Sequence, residues 1–274
     1  MTTAAQPDEA AQPDEAAHRD QTAGSGGPVR PEEPGLAGEP ARPGGRPGWG
    51  TALGKPTTTL LLRHGQTGLS VERRFAGRED TPLTKDGVKQ AVLAARRLAR
   101  AGVDVIVTSP LQRARRTAEA VAEATSAPLV VYEEFVEADF GAWQGLTFAE
   151  AGRDWPDQLA AWMASPDAAP PDGESFAMVA MRVLAGLDRL VTEHRHKTAV
   201  VVSHVTPIKT LLCRALLAPP EAMFRMNLDV ASLSRVDCFD NGTSVLRSLN
   251  DTAHLEPRLP RRSLRGRPQR PGTA

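Results

Sequence analysis

Three short stretches of this 274-residue chain carry side chains suited to handling an anion. They are Arg63-His64-Gly65-Gln66-Thr67, Ser109-Pro110-Leu111-Gln112-Arg113 and Ser203-His204. An imidazole can act as a nucleophile, ligate a metal or simply pack as a satisfied polar group, and an isolated His is most often the last. Here two histidines, His64 and His204, each end an apolar run, and two arginines, Arg63 and Arg113, can join them. A divalent ion fits poorly beside two guanidiniums, which would repel it. The same array suits a phosphate, because Arg presents a planar fork of donors that matches phosphate oxygens in pairs.

These groups lie up to 140 residues apart, so the elements between them must bring them together. Thr57-Thr58-Thr59-Leu60-Leu61-Leu62, Asp104-Val105-Ile106-Val107-Thr108 and Thr198-Ala199-Val200-Val201-Val202-Ser203 are continuous apolar and β-branched runs, as expected of strands buried on both faces. Leu129 to Tyr132 is also strand-like. Helical spacing appears from Thr84 to Gly102 (Val88, Ala91, Val92, Ala95, Leu98), from Ala114 to Ala124, and from Ser175 to Glu193. Thr206 followed by Pro207 reads as an N-cap and first helical residue. Near the end, Ser232–Phe239 and Thr243–Leu249 flank Asp240-Asn241-Gly242, a hairpin signal. Strands alternating with helices predict an α/β three-layer sandwich: a mainly parallel sheet, helices on both faces and an antiparallel C-terminal edge hairpin. In such sheets ligands sit beyond the carboxyl ends of the strands, so Arg63-His64, Ser109 and Ser203-His204 should converge.

Taken with Glu137-Ala138-Asp139-Phe140-Gly141, these motifs resemble, in order and spacing, the histidine phosphatase (phosphoglycerate mutase-like) superfamily across residues 57–250. The stretches 140–150, 203–209 and 249–255 are similar to the phosphatase domain of actinobacterial bifunctional ribonuclease H/acid phosphatase proteins, itself similar to α-ribazole phosphatases. The resemblance implies a phosphoric monoester hydrolase of the acid phosphatase type that needs no cofactor or metal. It implies that His64 is the nucleophile, that Arg63, Arg113 and His204 hold the phosphoryl oxygens, and that Glu137 is the general acid and base. Thr67 and Ser70 would add hydroxyl contacts to the phosphate. Ser70 stands where the family often has Asn, and Val205 where it usually has Gly. The substrate implied is a small phosphorylated metabolite, α-ribazole 5′-phosphate among the candidates. A phosphoglycerate-type mutase and a phosphate-binding module without turnover are the alternatives. Only 66 residues separate Glu137 from His204, which favours an open hydrolase over a mutase with longer inserts.

Composition bounds the rest. Lys+Arg and Asp+Glu are 33 each, so the zero net charge argues against bulk electrostatic binding to nucleic acid. Cys213 and Cys238 are too few for a disulfide framework or a four-thiolate zinc site. No run of 18 apolar residues suggests a membrane span, and no secretory signal is visible, so a cytoplasmic location is expected. Residues 1–54 hold 8 Pro and 10 Gly but five large apolar side chains, and repeat Ala-Ala-Gln-Pro-Asp-Glu in tandem, which predicts a disordered leader or linker. Such a segment cannot supply a ribonuclease H domain. Residues 257–274, with six Arg, four Pro and no acid, predict a disordered basic tail, leaving 55–256 as the phosphatase domain.

Overall fold

In the computed structural model the described residues are 53–256. The anticipated tail, and all but the last two residues of the anticipated leader, lie outside them. The strands are β1 (Thr57–Arg63), β2 (Val105–Thr108), β3 (Leu129–Val131), β4 (Thr198–Ser203), β5 (Leu233–Cys238) and β6 (Ser244–Asp251). The helices are α1 (Gly68–Glu72), α2 (Lys85–Leu98), α3 (Gln112–Thr125), α4 (Phe148–Asp154), α5 (Pro156–Ala164), α6 (Phe176–Glu193) and α7 (Val205–Leu216). Among the described residues no helix is long and apolar enough to cross a membrane.

The sheet order is β3-β2-β4-β1-β5-β6. The pairs β3-β2, β2-β4 and β4-β1 are parallel, while β5 runs antiparallel to β1 and β6 to β5. The expected mainly parallel sheet with an antiparallel C-terminal edge is therefore present. Apolar residues in the central strands alternate between the two faces with period two. Leu61, Val105, Val107, Ala199 and Val201 pack on one side with α6 and α7. Leu62, Ile106, Val200 and Val202 pack on the other with α2 and α3. Continuous apolar runs are what a strand covered on both faces requires.

One detail of the helical reading is corrected. The buried side of α2 is Gly87, Ala91, Ala94, Ala95 and Leu98, whereas Val88 and Val92 are 52% and 39% exposed. The periodicity was shared by two adjacent stripes, and the smaller residues won the interface. Ala94 and Ala95 meet Ala114 and Ala118 of α3, so the two helices approach closely without bulky side chains between them.

Register delivers the site. Arg63 pairs with Ser203 and Thr108 with Val202, so the three parallel strands end level with one another. His64 N–H donates to Ser203 O at 3.0 Å and Ser109 N–H to Val202 O at 3.0 Å, extending the ladder one residue past each strand. The chain then turns between β1 and the start of α2 with almost no clearance. A Cβ on Gly87 would meet Gln66 O at 2.1 Å, and one on Gly65 would meet Gly87 O at 2.5 Å. Thr84 caps α2 by accepting from Gly87 N–H and donates to the Gln66 side chain, locking that contact. Gly87→Ala is accordingly expected to cost about 1–3 kcal/mol in urea unfolding through overpacking. Gly68→Ala, whose methyl meets nothing within 4 Å, should be neutral or slightly stabilising.

Candidate active site

His64 follows β1 and is 4% exposed. Its Nδ1 lies 2.7 Å from Gly65 O. A carbonyl can only accept, so Nδ1 carries the proton and the lone pair of the neutral ring is on Nε2. Burial first, then the charges of Arg113 and Arg63, push the His64 pKa well below its ordinary 6.5. The imidazole therefore stays neutral at mildly acidic pH and presents an unprotonated nitrogen. The loop beneath it is fixed from α3: Gly65 N–H donates to Thr117 Oγ1, which donates to Arg113 O.

His204 ends β4, and its ring centroid is 5.1 Å from that of His64. Its Nε2 contacts Ser109 Oγ at 2.7 Å, so all three strand ends meet as expected. Burial is again the first cause of its depressed pKa, followed by Arg113, His64 and Arg63. Arg113 is fully buried in the first turn of α3, its two terminal nitrogens donating to Glu79 O at 2.6 Å and Gly77 O at 2.7 Å. Arg63 Nη1 donates to Leu228 O at 2.5 Å. Each of the three keeps one buried nitrogen without a partner: Arg63 Nε, Arg113 Nε and His204 Nδ1. Such atoms cost free energy unless something fills them, and an anion with several acceptor oxygens can.

Glu137 brings the acid. It sits on the loop between β3 and α4 and is 6% exposed. Its carboxylate accepts from Ala138 N–H at 2.9 Å, Val205 N–H at 3.1 Å and Thr206 N–H at 3.2 Å. This explains why α7 starts at Val205 with His204 as its N-cap, two residues before the Thr206 cap read from the sequence. Local rules look for a capping hydroxyl nearby in the chain, whereas this helix is capped from 68 residues away. The Val205 side chain is immaterial to that contact, since it is the backbone N–H that donates.

The sequence reading passed over the residue that holds Glu137 in place. Arg182, on α6, donates to the carbonyls of Glu134 (2.9 Å), Val136 (2.6 Å) and Glu137 (3.0 Å) and forks onto both oxygens of Glu174. Glu174 also accepts from Asp139 N–H, so the loop is tied on both sides of Glu137. Burial would raise the Glu174 carboxyl, but these bonds and Arg78 outweigh it and leave it lowered. Nothing in the sequence marks Arg182 except an Arg in a largely apolar helix.

Around this centre lies a cavity of about 290 Å3 lined by Arg63, His64, Arg113 and Glu137 but not by His204, which stands behind. Glu137 is its one acidic lining residue against five Arg and Lys. Thr67 and Ser70 line it too, but their hydroxyls form a capping box on α1, and Ser70 Oγ donates to Thr67 O at 2.8 Å. Arg74 is held by Glu72 and Glu150, each at 2.7 Å. Lys209 is half-buried on α7 with no ion-pair partner among the described residues, and burial and Arg63 lower its pKa. Among the described residues no group of three or more His, Cys, Asp or Glu could hold a metal.

Residues 59–252 match the model of the histidine phosphatase superfamily, branch 1. The chain is 47% identical over 210 residues to a bifunctional protein of Mycobacterium tuberculosis, covering 76% of this chain and 58% of that relative. It thus spans less than two thirds of the relative's length. It is 32% identical over 197 residues to phosphoserine phosphatase 1 of Hydrogenobacter thermophilus, covering 72% of this chain and 93% of the relative. The α-ribazole phosphatase structure from Shigella flexneri is similar at a TM-score of 0.65 and 28% identity, covering 71% of this chain and 96% of that one. A buried pair of strand-end histidines between two guanidiniums, a sheet of this order and a match over more than half of the chain lead to one assignment: the chain belongs to the histidine phosphatase superfamily.

Proposed function

We propose that this protein is a phosphomonoesterase working through a phosphohistidine on His64, without a metal ion, on a small phosphorylated metabolite. The observation that carries the reading is a set of three buried nitrogens without a partner, Arg63 Nε, Arg113 Nε and His204 Nδ1, on residues clustered with a His64 whose Nε2 is left free. In the first step Nε2 attacks phosphorus and the P–O bond to the alcohol breaks, its electron pair leaving with the oxygen. Glu137, as general acid, gives that oxygen a proton. In the second step water attacks the phosphohistidine, Glu137 takes a proton from the water, and the N–P bond returns its electrons to Nε2. Arg63, Arg113 and His204 neutralise the charge spread over the phosphoryl oxygens. Likeness to an α-ribazole phosphatase makes α-ribazole 5′-phosphate the first natural substrate to assay.

Hydrolysis of p-nitrophenyl phosphate should persist in EDTA and vanish in His64→Ala, and rapid acid-free quenching should trap acid-labile label on the wild-type protein alone. Loss of turnover in chelator, or label surviving in His64→Ala, contradicts the reading. Mutase turnover of phosphoglycerates exceeding phosphate release would replace it.

Glu137→Gln removes the proton while keeping the shape. Activity on alkyl phosphates should fall about 10²–10⁴-fold, with a smaller loss in the first step on p-nitrophenyl phosphate and accumulation of the labelled intermediate. Arg182 touches no reacting atom and acts by positioning. Arg182→Lys should therefore reproduce the dependence on leaving group at smaller amplitude with little change in KM. Equal losses on both substrate types would show a structural role only.

The depressed histidines also set a stability signature. Unfolded His takes up a proton near pH 6.5, while folded His64 and His204 do so only at much lower pH. As pH falls below 6.5 the unfolded state binds more protons, so stability drops by up to about 1.4 kcal/mol per pH unit for each residue. Thermal unfolding between pH 7.5 and 5.5 should show this slope, reduced in His64→Gln and offset at every pH by inorganic phosphate, which binds only the folded site. A slope unchanged in His64→Gln would mean other groups dominate.

A further inference from the structure

Much of the cavity lining is aromatic. Phe75, Phe148, Trp162, Phe176 and Phe224 line it, coming from the loop after α1, from α4, α5 and α6, and from the short 3-10 turn Pro220–Arg225. The rings form a connected wall: Phe75 to Phe148 is 6.2 Å between centroids, Phe75 to Trp162 6.2 Å, Trp162 to Phe176 4.6 Å and Trp162 to Phe224 5.5 Å. Trp162 and Phe176 are buried and would be explained by packing alone. Phe148 and Phe224 would not, since they are 45% and 42% exposed while lining the same cavity. Two half-exposed phenyl rings, 76 residues apart in sequence, line one cavity. Exposed apolar surface gathered in a concavity marks a ligand site more often than scattered exposure does.

Charge divides the cavity in the same way. Arg63, Arg113 and Glu137 gather at the His64 end, where phosphate chemistry uses them. Arg74 lines the cavity with its charge already answered by Glu72 and Glu150, Lys209 lines it within the field of Arg63 and Glu137, and Arg73 lines it as well. Outside these cations the lining is mostly apolar (Phe75, Phe140, Phe148, Trp162, Phe176 and Phe224 among it), and a carboxylate-rich leaving group would lose hydration against it. From this polarity we infer that the preferred substrate is the phosphate ester of an alcohol bearing an aryl or comparably large apolar group, whose ring is sandwiched against Phe148, Trp162 and Phe224. The inference rests on the phosphatase reading above and names the class of leaving group that reading left open. A phosphorylated hydroxy-acid or amino-acid, lacking such a group, becomes a poor substrate of the same site.

The test compares 2-phenylethyl phosphate with ethyl phosphate on the whole chain. Both release primary alkoxides of similar basicity, so the comparison reports binding of the ring and not ease of bond breaking. Burial of the phenyl group should raise kcat/KM about 30- to 100-fold. Phe148→Ala and Phe224→Ala replace half-exposed rim residues and should fold. Each should lower the phenylethyl-to-ethyl ratio about 5-fold, the loss falling on the phenylethyl ester. A ratio near one in the wild type, with both esters hydrolysed, overturns the aryl subsite and leaves the phosphatase reading intact. Phosphoserine or 3-phosphoglycerate turned over faster than the phenylethyl ester, with that advantage lost in Lys209→Met, would also overturn it, by assigning the leaving-group end to an anion held by Lys209. Absence of hydrolysis of every ester, with no label on His64, is a different outcome and defeats the phosphatase reading itself.

Discussion

Burying positive charge without a matching negative charge is the constraint around which this site is organised. Two guanidiniums lie at the carboxyl ends of the parallel strands, Arg113 fully buried and Arg63 half-buried. Fully unpaired, such groups would be prohibitive. The fold tolerates them by giving their outer nitrogens to backbone carbonyls: Leu228 for Arg63, Glu79 and Gly77 for Arg113. It also keeps both neighbouring imidazoles neutral, so no further cation is added. What remains unsatisfied is one buried nitrogen on each of Arg63, Arg113 and His204, which under the proposed function an anion would fill.

The same constraint explains the placing of Glu137. It is the one carboxylate lining the cavity and its charge is felt by both Arg63 and Arg113. A carboxylate left to find its own partner would fold onto one of those guanidiniums and fill the site. Instead its oxygens are occupied by three backbone N–H groups, two of them at the open end of α7 where the helix dipole favours an anion. Arg182 then fixes the backbone on which it rides. The carboxylate is thereby held beside the cations without pairing with either of them.

Beyond the phosphoryl centre the fold changes character. The segments between Asp139 and Phe176 and the turn after α7 give the cavity lining rings and no charged side chain, and they join the sheet core through Trp143, Trp162 and Phe176. One continuous apolar body therefore serves as core and as cavity wall. Under the proposed aryl subsite, selectivity would be set by residues that also pack the core, so specificity and stability would be coupled there.

Much of this was legible in the sequence because parallel strands buried on both faces leave an unmistakable run of β-branched and apolar residues. Their polar ends, Arg63-His64, Ser109 and Ser203-His204, must converge once the strands are parallel, and register brought them level. The helical spans read from Thr84 and from Ser175 begin on the residues that cap α2 and α6, because there cap and helix are neighbours. Tertiary structure decided the rest, wherever one group could serve two masters. It chose alanines over valines as the buried stripe of α2, because the closeness of α3 is not encoded in periodicity. It started α7 at Val205, because the cap comes from Glu137 across the fold. It engaged Thr67 and Ser70 with one another in a helix cap, and it placed Arg182 beneath the Glu137 loop. In each case the deciding contact joins residues whose separation along the chain, or whose choice between equivalent partners, no local pattern records.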